Sequence, residues 1–386
     1  MPGGPEPAEA VRRPGLAPGA TRGGGSVHGN VAVVTEASVD GVRVGVEHSL
    51  GRLTLDRPRA INALDVDMVR RLSAALDDWE HAPDIETVLI DGAGDRGLCA
   101  GGDVRALHSF ITAGEPGLTS VFFRAEYALN ARIAEYRKPI VVFADGITMG
   151  GGIGLAGHAA VRIVTERSRL AMPETRIGLT PDVGGSLLLA RAPGRLGEYL
   201  ALTGATMDAS DAIHAGFADH LVPSDRLDAV RDALVTRADP SGPAELVLLF
   251  DETPGPSRLA AARTWIDDAF AGATVAEIVE RLRARPEEDA AATAGLLGEL
   301  SPTALTVTLA AVRRARSLPG LRAALEQEYG LVSWFAHTRH DLVEGIRAQL
   351  VDKDRDPHWS PATLAELPDG LADEALSYRP VPALWG

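Results

Sequence analysis

Short apolar segments alternate with helix-like stretches between residues 42 and 235, and this alternation limits the fold more than any other feature. The segments 42–46 and 51–55 alternate apolar and other residues, which is typical of two paired strands. Two later segments are continuously apolar, 88–90 and 140–144, and 161–164 is apolar except for Arg162, which indicates three buried strands. Because helical stretches separate several of these strands, we predict an α/β fold with parallel crossovers rather than a β-sandwich.

Strand patterns almost disappear after residue 235, and helical spacing of apolar residues takes their place. We therefore expect a core at 42–235 and a mostly helical C-terminal region at 236–386. Residues 1–30 contain eight glycines and five prolines, so they cannot bury enough apolar surface to become ordered. We predict that this segment is a disordered leader, and it lacks the apolar stretch of a secretory signal.

The charge and the cysteine content narrow the classes of partner. Lysine and arginine total 38 against 53 aspartates and glutamates, and the net charge of −15 argues against a nucleic-acid-binding protein. The single cysteine, Cys99, excludes an intrachain disulfide framework and a multi-cysteine metal site. No segment approaches the roughly 20 apolar residues that a membrane-spanning helix needs. We therefore expect a soluble cytoplasmic enzyme that binds no metal, no nucleic acid and no membrane.

Two glycine-rich turns, at 97–105 and 149–155, each follow a predicted strand and open a predicted helix. Glycine leaves the backbone N–H groups accessible to a ligand because it has no Cβ atom. Two such turns could direct two N–H donors at one oxygen atom, which is the arrangement of an oxyanion hole. A pair of tight turns, or two close contacts between helices, is the structural alternative that the sequence leaves open.

Neither turn fits a nucleotide-binding motif. No Lys-Ser or Lys-Thr pair follows either turn, which excludes a phosphate-binding loop of the GxxxxGK[ST] type. Residues 152–157 match the letters of the dinucleotide pattern GxGxxG. The next strand begins at Val161, too soon after Gly154 for the dozen or so residues that a parallel crossover needs. We therefore exclude dinucleotide binding at this turn.

Two acidic residues, Glu174 and Asp182, lie in a mostly apolar stretch between prolines and glycines. Two carboxylates in an apolar cleft resist ionisation, and their pKa values can separate. One group is then suited to attack or to accept a proton, and the other is suited to donate one. In the structural alternative, Asp182 caps a helix and Glu174 forms an ion pair with Arg176.

Five motifs in this order and spacing resemble the crotonase (enoyl-CoA hydratase/isomerase) superfamily over roughly residues 42–230. They are LDRPRAINAL at 55–64, GLCAGGD at 97–103, KPIVVFADGITMGGGIGLAGH at 138–158, AMPETRIGLTPDVGG at 171–185 and LALTG at 200–204. The resemblance implies a spiral core of ββα units that helices surround, followed here by the helical C-terminal region. It also implies an acyl-CoA substrate and leaves a homo-oligomer open.

Within this superfamily the chain is most similar to the branch that hydrolyses 3-hydroxyisobutyryl-CoA in valine catabolism. Gly154 stands where typical hydratases have their first catalytic glutamate, and this branch has glycine there as well. Four further segments resemble the branch: FRAEYALN at 123–130, SPTALTVTL at 301–309, EQEYGLVSWF at 326–335 and HDLVEGIRAQLVDKDRDPHW at 340–359. The resemblance implies thioester hydrolysis without a cofactor, because coenzyme A is part of the substrate. An enoyl-CoA hydratase or isomerase and a non-catalytic acyl-CoA binder remain as alternatives.

The resemblance assigns roles to individual residues of this sequence. The backbone N–H groups of Gly102 and Gly151 would form the oxyanion hole for the thioester oxygen. Glu174 would be the main catalytic carboxylate, as a nucleophile or as a general base, and Asp182 would contact the acyl 3-hydroxyl group. The remaining residues expected to bind substrate are Arg59, Ala100, Glu126 and Gly150.

Overall fold

Strands form the centre of the part of the chain that the computed structural model describes, which comprises residues 34–35, 38–236 and 242–385. The predicted leader at 1–30 lies outside these described residues. The strands in this part are β1 (Val34–Thr35), β2 (Val42–Glu47), β3 (Leu50–Leu55), β4 (Thr87–Gly92), β5 (Ile140–Ala144), β6 (Ile147–Met149), β7 (Val161–Val164), β8 (Arg169–Ala171) and β9 (His220–Leu221).

The main sheet has the strand order β1-β2-β3-β4-β5-β7-β9. Strands β2 and β3 form an antiparallel pair in which Val42 faces Leu55, whereas β3, β4, β5, β7 and β9 run parallel. Strand β5 is buried along its whole length, as expected for a parallel strand that is covered on both faces. Strands β6 and β8 form a separate parallel pair. The sequence prediction of an α/β fold with parallel crossovers is therefore confirmed.

Helices connect and cover these strands. Between β3 and β9 they are α1 (Val66–Glu80), α2 (Val104–Thr112), α3 (Thr119–Glu135), α4 (Gly151–Ala156), α5 (Gly185–Arg191), α6 (Leu196–Thr203) and α7 (Ala209–Ala215).

Helix α1 shows how the local sequence determines where a helix begins and which face it buries. The side chain of Asp65 accepts hydrogen bonds from the first free N–H groups of the helix, at Asp67 and Met68. Apolar residues at helical spacing, including Leu72 and Leu76, then bury one face.

After β9 the described residues contain helices and no strand. These helices are α8 (Leu227–Thr236), α9 (Pro243–Val247), α10 (Arg258–Ala269), α11 (Val275–Arg283), α12 (Glu288–Leu297), α13 (Pro302–Ala315), α14 (Leu321–Thr338), α15 (Asp341–Ile346) and α16 (Leu371–Ser377). Helix α14 packs against α3 and α5, and α15 packs against α2. The C-terminal helices therefore touch α2, which follows the first glycine-rich turn, and the neighbouring helices α3 and α5. The domain boundary near residue 235 stays a prediction.

No single helix among the described residues is long and apolar enough to cross a membrane. Helices α12 and α13 pass the length and composition criteria only when they are taken together, and they are bent by 114° relative to each other.

Candidate active site

A cavity of about 630 Å³ lies where the two glycine-rich turns meet α3 and the turn that carries Glu174. This volume is in the usual range for a small-molecule site. The cavity is lined by every residue for which the sequence predicts a role in catalysis or binding: Arg59, Ala100, Gly102, Glu126, Gly150, Gly151, Glu174 and Asp182. The structure therefore brings together side chains and backbone groups from five separate segments of the chain.

Backbone hydrogen bonds hold the two glycine-rich turns side by side. The N–H of Cys99 donates to the carbonyl of Ile147 over 3.1 Å, and the N–H of Met149 donates to the carbonyl of Cys99 over 2.9 Å. The turns stay parallel beyond these bonds, since a Cβ atom added to Gly151 would lie 3.3 Å from the N atom of Gly102. The amides of Gly102 and Gly151 are thus neighbours on the cavity wall.

Neither the Gly102 amide nor the Gly151 amide has a hydrogen-bond acceptor within the described residues. Gly151 is the first residue of α4, so its N–H group has no partner inside the helix. Two adjacent backbone donors therefore remain available to one ligand atom. This arrangement has the donor geometry of an oxyanion hole.

Gly101 and Gly150 precede these amides and show why each turn contains consecutive glycines. Gly101 has a φ of +112° and Gly150 has a φ of +48°, conformations that residues with a Cβ rarely adopt. A Cβ atom at Gly150 would also lie 3.1 Å from Oε1 of Glu174. The second turn and the carboxylate of Glu174 are therefore in close contact at the cavity.

Glu174 begins a single 3₁₀ turn, Glu174–Ile177, directly after Pro173. Glu174 is 6% exposed, and its Oε2 atom is buried without a hydrogen-bond partner among the described residues. Burial raises the pKa of this carboxyl well above its ordinary value, and the charge of Asp182 raises it further. A carboxylate in this state is a stronger base than one in water, and it is not committed to a structural contact.

Asp182 is also 6% exposed and accepts a hydrogen bond of 2.6 Å from the hydroxyl of Tyr127. Burial raises its pKa to about 6, and the Tyr127 hydrogen bond opposes that rise. The structural alternatives for the two acids do not hold. Helix α5 has Gly184 at its N-cap without a side-chain hydrogen bond, and Arg176 donates to the carbonyl of Thr203 rather than to Glu174.

Glu126 projects from α3 toward the second glycine-rich turn and is 2% exposed. Its Oε1 atom is buried without a hydrogen-bond partner among the described residues, and a Cβ atom added to Gly151 would collide with it. Burial raises the pKa of this carboxyl well above its usual range, and Asp182 adds to the effect. The cavity thus has three buried carboxyls, and two of them, Glu126 and Glu174, each have a buried oxygen without a hydrogen-bond partner among the described residues.

Arginines line the outer part of the cavity. Arg57, Arg59, Arg105 and Arg176 all contribute to its wall. Arg59 is exposed, and its guanidinium has no partner in the part of the chain that the structure describes. Ala100, another predicted binding residue, is exposed at the same cavity. Arg57 already pairs with Asp65 and Asp103, whereas Arg59 at this rim suits a ligand that carries phosphate groups, since a guanidinium group matches their geometry.

Two features in and beside the cavity could not be predicted from the sequence. Tyr127 lies next to the predicted Glu126, but the sequence gives no sign that it bonds to Asp182 across 55 positions of the chain. Gln349 and Leu350 line the cavity from a π-helical turn at Arg347–Val351. No motif in the sequence marks these two residues as neighbours of the glycine-rich turns.

Gly154 is a residue of α4 and faces a closed space. A Cβ atom at this position would lie 2.7 Å from Nδ2 of Asn130 and 2.8 Å from Cβ of Val183. Both distances are shorter than van der Waals contact, so no side chain fits here without a rearrangement. The chain therefore cannot present a carboxylate from position 154 in this conformation.

Cys99 and His158 are poorly suited to chemistry at neutral pH. Burial raises the pKa of the Cys99 thiol to about 12 and lowers the pKa of His158 to about 4. The Nε2 atom of His158 lies 2.8 Å from the carbonyl oxygen of Val183. Within 38–236 and 242–385, no three histidine, cysteine or acidic side chains are grouped so that they could hold a metal ion. The expectation that no metal or cofactor takes part stays a prediction.

Comparison with known proteins supplies independent information. The model of the family described as "Enoyl-CoA hydratase/isomerase" matches residues 50–376. A protein of Danio rerio named "3-hydroxyisobutyryl-CoA hydrolase, mitochondrial" is 40% identical over 337 residues, which cover 85% of this chain and 87% of the relative.

Two solved structures are also similar to this chain. A structure described as a carnitinyl-CoA dehydratase from Mycobacterium thermoresistibile has a TM-score of 0.84 and 46% identity, and the match covers 90% of this chain and 98% of the other. A structure described as an enoyl-CoA hydratase from Rhodobacter sphaeroides has a TM-score of 0.81 and 42% identity, covering 88% and 97%.

The comparison overturns the predicted cytoplasmic location. Several curated relatives, including the Danio rerio protein, are named as mitochondrial. The prediction was wrong because it relied on a single cysteine and on the lack of long apolar segments. Neither feature distinguishes the cytoplasm from the mitochondrion.

Proposed function

Because the chain belongs to the enoyl-CoA hydratase/isomerase family, we propose that it hydrolyses an acyl-CoA thioester, specifically 3-hydroxyisobutyryl-CoA, to the free acid and coenzyme A. The similar solved structures confirm the crotonase-like fold expected from the sequence. The single observation that carries the proposal is the position of Glu174. Its buried, unpaired carboxylate lies against the turn whose Gly151 amide, with that of Gly102, has no acceptor among the described residues.

The two amides act on the charge that develops during thioester hydrolysis. Attack on the carbonyl carbon moves an electron pair onto the thioester oxygen, which becomes an oxyanion. Backbone N–H groups of Gly102 and Gly151 donate to this oxygen, and each donor stabilises the transition state by about 3 kcal/mol. These donors are fixed by the turns before the substrate binds, so no reorganisation is needed when the charge appears.

Glu174 supplies the group that acts on the carbonyl carbon, and two routes use the same position. In the first, a carboxylate oxygen attacks the carbon, the C–S bond breaks and the coenzyme A thiolate leaves. Water then hydrolyses the resulting mixed anhydride and restores the carboxylate. In the second, the carboxylate takes a proton from a water molecule that attacks the same carbon, and the C–S bond then breaks as the coenzyme A thiolate leaves and takes up that proton. The raised pKa of Glu174 strengthens its action as a base in the second route.

Asp182 and Arg59 act on opposite ends of the substrate. The ionised carboxylate of Asp182 accepts a hydrogen bond from the acyl 3-hydroxyl group, and Glu126 lines the same end of the cavity. Arg59 and the other arginines at the rim attract the phosphates of coenzyme A, and the carbonyl of Ala100 contacts its adenine. This acyl group places the reaction in valine catabolism.

An enoyl-CoA hydratase or isomerase is the second candidate. The names of the two similar solved structures favour it, and these reactions also pass through an oxyanion that the same amides would stabilise. The closed space around Gly154 argues against hydration by two carboxylates in which one projects from that position. Glu126 and Asp182 remain as acids beside Glu174, so the distinction must be made by experiment.

Release of free thiol separates the two candidates. We would measure thiol release from 3-hydroxyisobutyryl-CoA, isobutyryl-CoA and an enoyl-CoA, and monitor loss of the enoyl absorbance in parallel. We expect thiol release that is fastest with the 3-hydroxy ester and is abolished by Glu174→Gln. Glu326→Gln is the matched control, because Glu326 is exposed on α14, outside the cavity. Loss of enoyl absorbance without thiol release would instead support the hydratase or isomerase.

A further inference from the structure

We propose that Tyr127 and Glu328 are positioning residues that fix the Asp182 carboxylate for recognition of the acyl 3-hydroxyl group. They do so by holding the segment Asp182–Val183–Gly184 from two different helices. This inference rests on the proposed function, because it takes the acyl hydroxyl group as the partner of Asp182. It adds to the site two residues that do not line the cavity themselves.

Tyr127 holds the first residue of the segment. It lies on α3, is fully buried, and donates a hydrogen bond of 2.6 Å to Oδ2 of Asp182. Its ring packs edge-to-face against Tyr329 of α14, with ring centroids 6.4 Å apart. The ring is thus fixed by packing, and its hydroxyl fixes one oxygen of Asp182. The other oxygen, Oδ1, remains available to a ligand.

Glu328 holds the third residue of the segment from α14. Its carboxylate accepts a hydrogen bond of 2.6 Å from the N–H of Gly184. It also accepts from the N–H of Ser186 over 2.9 Å and from the hydroxyl of the same serine. Glu328 is fully buried, and all three donors belong to the loop and first turn that follow Asp182. Its side chain thus anchors the backbone on the far side of Asp182.

The residue between these two anchors has a conformation that needs support. Val183 has a φ of +53°, and a β-branched side chain is unfavourable in this left-handed region. Its carbonyl oxygen lies 2.8 Å from Nε2 of His158, so each of the three consecutive residues contacts a different side chain. Backbone strain of this kind persists only where surrounding contacts hold it. If Tyr127 or Glu328 is removed, we expect the Asp182 carboxylate to lose its fixed position.

The groups around Asp182 determine whether its side chain is ionised. The titratable groups that face it are Glu126 and Tyr127 from α3, Glu174 from its 3₁₀ turn, and Glu328 from α14. Each of the three glutamates is negative when ionised and therefore opposes ionisation of Asp182. Among the described residues, Tyr127 is the side chain that donates a hydrogen bond to Asp182. Loss of its hydroxyl therefore raises the pKa of Asp182, which is about 6 in the native chain.

A raised pKa has a defined effect on ligand binding. A protonated Asp182 accepts a hydrogen bond less well than the carboxylate, so recognition of the 3-hydroxyl group weakens as the pH falls through this pKa. With Tyr127→Phe the same weakening begins at a higher pH. An ester without the hydroxyl group makes no such contact and shows neither effect.

Binding to full-length protein in a Glu174→Gln background tests the inference without requiring turnover. Calorimetry would give the Kd of 3-hydroxyisobutyryl-CoA and of isobutyryl-CoA from pH 5 to pH 8. We compare the background with Tyr127→Phe and with the matched control Tyr329→Phe. Tyr329 is a neighbouring buried tyrosine whose hydroxyl donates to the carbonyl of Pro382. Removal of its hydroxyl is the same chemical change without a contact to Asp182.

We expect Tyr127→Phe to reduce the preference for the 3-hydroxy ester about tenfold at pH 7, since hydrogen bonds to charged groups have effects of this order. The pH at which this preference is half lost should also rise, whereas Tyr329→Phe should change neither quantity. Equal weakening of both esters with an unchanged pH dependence would overturn the inference. So would a background protein that shows no preference for the hydroxyl group.

Glu328→Gln is a second and independent test, with Glu326→Gln on the same helix as its control. The amide keeps the shape of the carboxylate but replaces one acceptor oxygen with a donor. We expect a selective loss of binding to the 3-hydroxy ester for Glu328→Gln and none for Glu326→Gln. A loss that is equal for the two esters would assign Glu328 a purely structural role and contradict the inference. Thiol release by the wild-type chain tests the proposed function separately.

Discussion

Gly151→Ala tests the oxyanion hole without removing a reactive group. The new methyl group would collide with Oε1 of Glu126 and would lie 3.3 Å from the N atom of Gly102. Oε1 is the far end of a flexible side chain, so Glu126 can move aside at a small cost in folding free energy. We expect this cost to be about 1 kcal/mol, at the low end of the range for overpacking.

The expected loss of activity is much larger than the loss of stability. The methyl group would lie next to the Gly102 amide on the cavity wall, so we expect it to keep the thioester oxygen from reaching both donors. Loss of one such donor lowers kcat about 10²–10³-fold, which corresponds to roughly 3–4 kcal/mol. The assay is thiol release from 3-hydroxyisobutyryl-CoA, with the thermal unfolding midpoint measured on the same samples.

Gly295→Ala provides the matched control for this substitution. Gly295 lies in α12, and no heavy atom outside its own helical surroundings lies within 4 Å of an added Cβ. Alanine is also the better helix former, so we expect an unchanged or slightly raised unfolding midpoint and full activity. Retention of near-normal kcat by Gly151→Ala would refute the assignment of its amide to the oxyanion hole.

Three further predictions concern the carboxyls and the closed space around Gly154. Asp182→Asn should lower kcat/KM more for 3-hydroxyisobutyryl-CoA than for isobutyryl-CoA, and an equal loss in thiol-release assays would remove its role in hydroxyl recognition. Burial raises the pKa of Glu174 well above its ordinary value. As the pH is lowered, kcat/KM for isobutyryl-CoA should therefore begin to fall at a pH well above the ordinary pKa of a glutamate. Activity that persists unchanged down to pH 4.5 would contradict this. Gly154→Ala should lower the free energy of unfolding by about 1–3 kcal/mol, because the new methyl group would collide with Asn130 and Val183. Denaturant unfolding measures this change, and an unchanged midpoint would show that the space is not closed.

Features that depend on a few consecutive residues, such as a buried strand or a glycine-rich turn, could be predicted from the sequence. The continuous apolar segment at 140–144 predicts a buried strand, and the structure has β5 at Ile140–Ala144. The glycines at 101–102 and 150–152 predict exposed amides, and the structure places Gly102 and Gly151 side by side on the cavity. In each case a few consecutive residues determine the local backbone, so their pattern carries the information.

Contacts between distant parts of the chain could not be predicted in this way. Tyr127 and Asp182 are 55 positions apart, and Glu328 lies more than 140 positions from the amides that it accepts from. A buried glutamate on α14 has the same sequence signature as an exposed one, because both fit helical spacing. Only the packing of α14 against α3 and α5 determines that Glu328 is buried and Glu326 is not.

The short strands β6 and β8 show a related limit. Each has three residues, and they pair with each other, with single bridges from β6 to Cys99 and from β8 to Met207. Segments this short carry no reliable alternation, so the sequence does not separate them from the loops on either side. They matter nevertheless, because β6 leads directly into the Gly150–Gly151 turn.

The most direct measurement is a crystal structure of the full-length Glu174→Gln chain with 3-hydroxyisobutyryl-CoA bound. We expect the thioester oxygen to lie 2.7–3.1 Å from the N atoms of both Gly102 and Gly151, as in other oxyanion holes. The side chain at position 174 should face the carbonyl carbon, and the acyl hydroxyl should donate to Asp182. A thioester oxygen out of reach of either amide, or a carbonyl carbon turned away from position 174, would contradict hydrolysis at this site.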